Sequence, residues 1–323
     1  MARVFVSAPL HGDAVARLQA VHEVVVGQGL GDGEAWVTLV TDKIDAARLA
    51  TAPRLKIVAN VAVGVDNIDL DACRACGVIV SNTPGVLTEA TADLAFGLIL
   101  AASRRIAEGD RLIRANGWTG WTPNLLVGAR IHGSTLGIVG FGRIGQAVAR
   151  RGRGFGMPVL YTQRQRIAPD LERSLGATYA ELDDLLAKSD VVSLHCPLTP
   201  QTRALLSAER LSRMKRGSVL INTSRGPVVD EAALAAALET GPLAAAGLDV
   251  YEDEPRVNPR LLERPNVVMA PHIASADRPT REAMARLAVD NALAVLDGKA
   301  PPNPVSLAAA SSTASRRSAR PAT

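Results

Sequence analysis

The middle of the chain contains a GxGxxG pattern, Gly140-Phe141-Gly142-Arg143-Ile144-Gly145. It follows the apolar run TLGIV and begins a helical pattern, so it stands where a strand turns into a helix. In such a turn the first glycine permits a tight bend, the second lets the backbone approach a pyrophosphate, and the third lets the helix pack on the strand. The helix N-terminus faces the negative charge. The pattern therefore predicts that this segment binds a dinucleotide.

The residues after the next predicted strand, PVLYT, bear on which dinucleotide that is. An acid about 20 residues after the glycines usually binds the ribose 2′-hydroxyl of NAD, but here the strand is followed by Gln163-Arg164-Gln165-Arg166. Arginine suits a 2′-phosphate because its guanidinium can form two parallel hydrogen bonds. We therefore expect NADP(H) to be preferred and NAD(H) to be possible. Gln163 and Arg164 would lie beside the ribose, with Arg166 as a second phosphate contact.

Three polar segments follow other apolar runs in the second half of the chain. INTSRG contains Arg225, GLDVYEDEP contains Glu254, and PHIAS contains His272. An open α/β sheet places its ligands at the carboxyl ends of its strands. A guanidinium binds carboxylates, and an imidazole can donate a proton near neutral pH. These segments therefore supply the candidate catalytic side chains.

Short apolar strands alternate with amphipathic helices along the chain. A first series of predicted strands comprises RVFVSA, HEVVVG, WVTLV, KIVANV and GVIVSN. A second series comprises TLGIVG, PVLYT, VVSLHC, SVLINT, AAGLDV and NVVMAP, most of them apolar throughout, as in strands buried on both faces. The alternation predicts an α/β fold of two doubly wound parallel-sheet domains, a flavodoxin-like substrate domain and an inserted Rossmann dinucleotide-binding domain.

Two longer helical patterns set the expected domain bounds. One helix is predicted from Glu89 to Ala115, and a final helix from Thr280 to Leu296, before a glycine and two prolines. We expect residues 1–100 plus 288–307 to form the substrate domain and residues 101–287 to form the dinucleotide-binding domain. Residues 308–323 would be a disordered tail.

The composition, with 47% hydrophobic and 21% charged residues, is that of a globular protein. The best apolar run, Leu94 to Ala102, is far shorter than the roughly 20 residues that a bilayer requires, and the N-terminus lacks a signal-peptide pattern. Cys73 and Cys76 form a CxxC without the second pair that a zinc site needs. These features predict a cytoplasmic protein with reduced thiols, no metal and no membrane partner.

The net charge of +4 owes much to an Ala/Ser-rich tail that contains Arg316, Arg317 and Arg320. A basic tail can bind nucleic acid. Low hydrophobicity at a chain terminus is more typical of a solvated, unstructured segment. We therefore expect no nucleic-acid partner.

Several of these segments occur together, and in the same order, in a known family. NVAVGVDNIDL, NTPGVLTEATADLAFGLIL, the GxGxxG, CPLTPQT, NTSRGPVVDE, GLDVYEDEP and PHIAS make the chain resemble the D-isomer-specific 2-hydroxyacid dehydrogenases over about residues 1–305. Within that family it is most similar to glyoxylate/hydroxypyruvate reductases. Gln163 departs from the family's common acidic residue, and Ala274 replaces a frequent glycine. The resemblance implies reduction of a small 2-keto acid to a D-2-hydroxy acid.

The resemblance also implies roles for single residues. Arg225 would bind the substrate carboxylate and polarise the ketone, and His272 would donate a proton to the ketone oxygen. Glu254 would accept the other imidazole N–H and fix the tautomer. Backbone N–H groups of Val63 and Gly64 would hold the carboxylate from the other domain. The positions that match dinucleotide-lining residues of the family are Thr91, Pro197, Thr202, Thr223 and Asp249.

Two further segments are interpreted through the same resemblance. His195, in SLHCP, ends a strand of the dinucleotide-binding domain, and we expect it to lie near the cofactor without acting as the acid. Trp118 and Trp121, in GWTGWTP, match the family's dimerisation arm, and aromatic residues are enriched at interfaces. We therefore expect a homodimer through Gly117 to Gly128, with the alternative that the two tryptophans are ordinary packing.

Other activities of the same family remain open at this point. A 3-phosphoglycerate dehydrogenase is disfavoured by the two arginines after PVLYT, which do not suit NAD. A phosphite dehydrogenase would carry a lysine where this chain has Val63. A dinucleotide-sensing corepressor would share the fold and the candidate catalytic residues but bind without turnover.

Overall fold

A computed structural model of the chain describes residues 1–306, so the predicted tail at 308–323 lies outside the described residues. The chain divides into two compact units. Among the described residues, the first unit contains residues 1–84 and 282–306, and the second contains residues 85–281. Within residues 1–306, no helix is long and apolar enough to cross a membrane.

The first unit contains a parallel sheet of five strands. These are β1 (Arg3–Val6), β2 (Glu23–Val26), β3 (Ala35–Thr38), β4 (Ile57–Asn60) and β5 (Ile79–Ser81). Their order in the sheet is β2-β1-β3-β4-β5, the order of flavodoxin-like folds. The connecting helices are α1 (Ala14–Gln19), α2 (Ala46–Leu49) and α3 (Leu70–Ala75). The predicted strands and topology of this unit are confirmed.

The second unit contains a parallel sheet of seven strands. They are β6 (Leu136–Val139), β7 (Val159–Thr162), β8 (Ala177–Tyr179), β9 (Val191–Leu194), β10 (Ser218–Asn222), β11 (Leu243–Leu248) and β12 (Val267–Met269). The order β12-β11-β10-β9-β6-β7-β8 places β6, which precedes the glycine-rich turn, in the interior, as in Rossmann folds. Strand β8 was not predicted, because its residues Ala177, Thr178 and Tyr179 do not form an aliphatic run.

Helices precede, connect or follow the strands of this sheet. They are α4 (Thr88–Ser103), α5 (Ile106–Arg114), α6 (Arg143–Gly154), α7 (Pro169–Leu175), α8 (Leu182–Lys188), α9 (Ala208–Ser212), α10 (Glu231–Glu239), α11 (Pro259–Leu262) and α12 (Arg278–Leu296), which continues into the first unit. Successive strand side chains point to opposite faces. Val219 and Ile221 of β10 therefore join a core with α4 and α6, while Leu220 joins a core with α8 and α10.

The prediction of one helix from Glu89 to Ala115 is wrong. The helix breaks between α4 and α5, where Arg105 adopts a left-handed conformation with φ of 55°. At the end of α4, the Ser103 carbonyl accepts a hydrogen bond from the N–H of Ala129 at 2.8 Å. A Cβ added to Gly128 would lie only 2.2 Å from the same oxygen. A returning segment distant in sequence therefore ends α4.

The boundaries between the two units also differ from the expected ones at residues 100 and 287. The division falls at residues 84 and 281. The reason for the first shift is that α4 packs in the core of the second unit, where Ala95, Leu98 and Ile99 are buried with Ile138. The hydrophobic pattern of a helix does not show which of two sheets the helix will pack against.

Candidate active site

The glycine-rich turn joins β6 to α6. Gly140 has a φ of 92°, and a Cβ there would lie 2.5 Å from the backbone nitrogen of Cys196, so only glycine fits. A Cβ on Gly142 would meet nothing within 4 Å. Gly145 lies so close to Gly140 that an added Cβ would be 2.3 Å from its carbonyl oxygen. The turn thus leaves open space beside the N-terminus of α6, whose first turn contains no acid, and this fits a pyrophosphate.

The loop after β7 contacts this turn through Gln163. The N–H of Phe141 donates to Oε1 of Gln163 at 3.3 Å, and Nε2 of Gln163 donates to the carbonyl of Gln165 at 2.5 Å. Arg164 is exposed, and no partner in residues 1–306 engages its guanidinium. The loop therefore presents one unpaired arginine next to the turn.

Arg166 is already engaged by a buried carboxylate. Its Nε and Nη2 donate to the two oxygens of Glu172, both at 2.7 Å, and Tyr161 donates to the same carboxylate at 2.6 Å. The hydrogen bonds from Arg166, then from Tyr161, lower the pKa of Glu172 to about 2. The expectation that Arg166 would contact a phosphate is corrected, because its fork of donors is occupied by Glu172.

The remaining predicted cofactor residues lie in the second unit as well. Thr223, just after β10, is buried, and its hydroxyl has no hydrogen-bond partner within the described chain. Thr202 donates to the carbonyl of Pro197 at 2.7 Å and so closes the loop after β9. Thr91 is buried in α4. The orphaned hydroxyl and the open glycine turn together fit a dinucleotide.

His272 and Glu254 are in direct contact. His272 Nδ1 lies 2.8 Å from Glu254 Oε2, and the N–H of Tyr251 donates to Oε1 at 3.0 Å. Burial raises the pKa of Glu254, but the hydrogen bonds from His272 and Tyr251 outweigh it, so the pKa is lowered overall. Glu254 therefore remains a carboxylate and occupies Nδ1, which leaves Nε2 for another partner.

Arg225 lies beside this pair because two loops pack closely. A Cβ added to Gly226 would be 1.8 Å from the carbonyl carbon of Tyr251, so the loop after β10 can approach the loop after β11 only with glycine there. Asn222 Nδ2 donates to the carbonyl of Arg225 at 2.9 Å and fixes the arginine's backbone. The charge of Arg225 contributes to the lowered pKa of Glu254.

Asp249 holds the loop that contains His272. Its two carboxylate oxygens accept the N–H groups of Ile273 at 2.8 Å and Ala274 at 2.9 Å, and its carbonyl accepts the N–H of His272 at 2.9 Å. Burial raises the pKa of Asp249. Asp249 thus contacts the loop that contains His272. Its expected position along the cofactor stays a prediction.

Sequence reasoning did not single out two supporting residues. Asn222 fixes Arg225 as described above, and Glu231 at the start of α10 accepts the N–H of Glu252 at 2.7 Å. Both lie inside segments that the sequence highlighted, INTSRG and VVDE. Because an Asn and a Glu at these positions have no distinguishing spacing, no sequence signal identified them.

His195 follows β9 and differs from His272 in its surroundings. Its Nε2 lies 2.8 Å from the Ser193 hydroxyl, and burial lowers its pKa to about 3. At neutral pH this imidazole is therefore uncharged and is a poor proton donor. The predicted cofactor and catalytic side chains all lie in the second unit, whereas Val63 and Gly64 lie in the first unit, in the loop after β4.

A Rossmann sheet with an open glycine turn, together with a paired Glu and His beside an arginine, is typical of dinucleotide-dependent oxidoreductases. The family model described as "D-isomer specific 2-hydroxyacid dehydrogenase, NAD binding domain" matches residues 96–274. The glyoxylate reductase of Thermococcus litoralis is 52% identical over 274 residues, which are 84% of this chain and 82% of that protein. The chain belongs to the D-isomer-specific 2-hydroxyacid dehydrogenase family.

Solved structures agree with this assignment. A protein from Thermus thermophilus is 47% identical with a TM-score of 0.87, over 94% of this chain and 100% of that one. The NADPH-dependent glyoxylate/hydroxypyruvate reductase of Sinorhizobium meliloti, solved with NADP and malonate, is 36% identical with a TM-score of 0.86, over 94% of this chain and 97% of that one. The fold and family expected from the sequence are confirmed.

Proposed function

We propose that the protein is an NADPH-dependent reductase whose substrate is glyoxylate, reduced to glycolate, or hydroxypyruvate, reduced to D-glycerate. The observation that carries the proposal is the contact between His272 and Glu254 beside Arg225. Its relatives include a glyoxylate reductase that is 52% identical over 274 residues. Either substrate pairs a carboxylate with a carbonyl, which are the two groups that these side chains can recognise.

In this proposal each side chain has a separate task. Arg225 binds the carboxylate and polarises the carbonyl, since its guanidinium stays charged and forms paired hydrogen bonds. His272 donates the proton from Nε2 to the carbonyl oxygen, and Glu254 holds Nδ1 and stabilises the charged imidazole. Val63 and Gly64 bind the carboxylate through backbone N–H groups. A bound reduced nicotinamide supplies the hydride.

The dinucleotide is held by residues of the second unit. Gly140, Gly142 and Gly145, with Arg143 and Ile144 in the first turn of α6, receive the pyrophosphate. Arg164 binds the 2′-phosphate, which Gln163 tolerates because it carries no negative charge. The other lining residues in this proposal are Thr91, Pro197, Thr202, Thr223 and Asp249.

The test is the oxidation of NADPH, followed by absorbance, with glyoxylate, hydroxypyruvate and pyruvate as separate substrates. We expect the highest kcat/KM with glyoxylate or hydroxypyruvate and a lower value with pyruvate. Dinucleotide binding without turnover of any keto acid would overturn the proposal in favour of a sensing protein.

We further propose that the protein is a homodimer through the segment from Gly117 to Gly128. Trp121 is 80% exposed and Val127 is 65% exposed, with Trp118 and Leu125 also exposed nearby. Such clustered apolar exposure is typical of an interaction surface. Light scattering at micromolar concentration should give twice the mass of the chain, and a monomeric mass would remove the proposal.

A further inference from the structure

The loop that joins β4 to α3 holds three consecutive peptide carbonyls against the body of the first unit. The carbonyl of Ala62 accepts the N–H of Thr83 at 2.9 Å. The carbonyl of Val63 accepts Nδ2 of Asn82 at 2.8 Å, and that of Gly64 accepts Nδ2 of Asn60 at 3.0 Å. Two of these three hydrogen bonds come from side-chain amides.

Because the three carbonyls are held in this way, the N–H groups of the same three peptides face away from the body of the first unit. In a trans peptide the C=O and N–H point in opposite directions, so the N–H groups of Val63, Gly64 and Val65 point away from the residues that hold the carbonyls. Within residues 1–306 these three N–H groups donate to no protein acceptor, and all three residues are half-buried. Successive N–H groups directed to one side form an anion-binding concavity.

The two asparagines are themselves fixed. Asn60 is fully buried, and its Oδ1 accepts the hydroxyl of Thr38 at 3.0 Å, so its Nδ2 must face the loop. Asn82 lies at the end of β5, and its backbone N–H donates to the carbonyl of Asn303 at 3.3 Å. An amide donates without adding charge. A carboxylate at either position would repel both the carbonyls and an incoming anion.

We propose that Asn60 and Asn82 are positioning residues for the substrate carboxylate and that Val65 N–H is a third donor to it. The proposal rests on the proposed function, in which this loop binds the carboxylate of the keto acid. The asparagines act through the direction of the peptides and do not touch the substrate.

A positioning role and a purely structural role can be distinguished by the kinetic constants that a substitution changes. The carboxylate does not react, so its contacts are similar in the ground state and the transition state. Loss of such uniform binding raises KM and leaves kcat nearly unchanged. Dinucleotide affinity should not change either, because the residues proposed to bind it lie in the second unit.

The experiment is Asn82→Ala, measured with glyoxylate as substrate and oxalate as a competing dicarboxylate. We expect the KM for glyoxylate and the Ki for oxalate to rise about 10-fold, the effect of one lost hydrogen bond of about 1.4 kcal/mol. kcat should stay within about threefold and the Kd for NADPH should be unchanged. The control is Asn266→Ala, which removes an equivalent bond from Nδ2 to the carbonyl of Ala244, at 3.0 Å, before β12.

Several outcomes would overturn the proposal. These are an unchanged KM and Ki in a folded Asn82→Ala, an equal rise in the Asn266→Ala control, or a fall in kcat with no change in KM. If Asn82→Ala does not fold, the same measurements are made on Asn82→Ser. If neither variant folds, the role of Asn82 is structural and the proposal is overturned. If the parent does not reduce glyoxylate, the proposed function fails, while oxalate binding to the enzyme–NADPH complex still tests the asparagines.

Discussion

The two candidate substrate-binding regions use different chemical groups, side chains in one and backbone N–H groups in the other. In the second unit, Arg225 and His272 would act through their side chains, on the loops that follow β10 and β12. In the first unit, the loop at residues 61–67 would act through backbone N–H groups, and its side chains Val63 and Val65 are aliphatic. A site built from side chains can be recognised from the residue types in the sequence. A site built from backbone N–H groups cannot, because every residue except proline has one.

The difference also predicts how each region responds to substitution. A side-chain group disappears when its residue is replaced, so a single change removes the whole interaction. A backbone donor survives replacement of its own residue and is only misdirected when the groups that orient it are lost. Replacing the His272 or Arg225 side chain should therefore have a larger effect on kcat/KM than Asn82→Ala in the first unit.

The largest effect is expected for His272→Ala. Loss of a general acid should lower kcat at least about 100-fold, while the Kd for NADPH stays near the parent value. The matched control is His195→Ala, since burial already keeps the pKa of His195 at about 3 and its imidazole uncharged. Steady-state kinetics would contradict the assignment if His195→Ala lost more activity than His272→Ala.

Arg225→Lys should have the next largest effect. Lysine keeps the charge but loses the paired hydrogen bonds, and a hydrogen bond to a charged group is worth about 1.5–3 kcal/mol. We expect kcat/KM for glyoxylate to fall roughly 10- to 100-fold. Arg213→Lys, in an exposed ion pair of the same unit, is the control. Near-parental turnover in Arg225→Lys would remove the carboxylate-binding role.

Cofactor choice should respond to Arg164→Ala. The KM for NADPH should rise about 10-fold while that for NADH changes little, because only NADPH carries the 2′-phosphate. The preference should weaken as salt rises, since the guanidinium is exposed. Arg173→Ala, an exposed arginine on α7, is the control. A parent enzyme that prefers NADH would show that Arg164 points into solvent.

The smallest effect is expected for Glu172→Gln, measured as Tm. The pKa of Glu172 falls from 4.5 to about 2 on folding, so its carboxylate stabilises the fold above pH 4.5 and loses that contribution as pH falls towards 2. The variant should therefore melt below the parent at pH 7, and the gap should narrow below pH 4.5. Glu209→Gln, in an exposed pair, should show little change. A gap independent of pH would contradict the assignment.

Much of the architecture could be predicted because parallel strands buried on both faces are apolar throughout. Every strand of the seven-stranded sheet except β8 lies in such an apolar run. The glycine turn and the polar strand ends have short sequence patterns of their own. The helix break at Arg105 has none, because Ser103 is capped by Ala129 from a segment 26 residues further along the chain. The pairing of Arg166 with Glu172, six residues further along the chain, was missed because a charged side chain in a loop has several possible partners.

The sequence by itself determined the α/β class, the dinucleotide turn and the residue types of the catalytic set, because each depends on side-chain chemistry or on short-range periodicity. Only the tertiary structure decided which arginine stays unpaired, which unit α4 joins, and which way the peptides of residues 62–65 face. Those outcomes depend on hydrogen bonds and apolar packing between different elements of the fold. The direction of a peptide in particular cannot be inferred from residue type, because every residue except proline carries the same N–H and C=O.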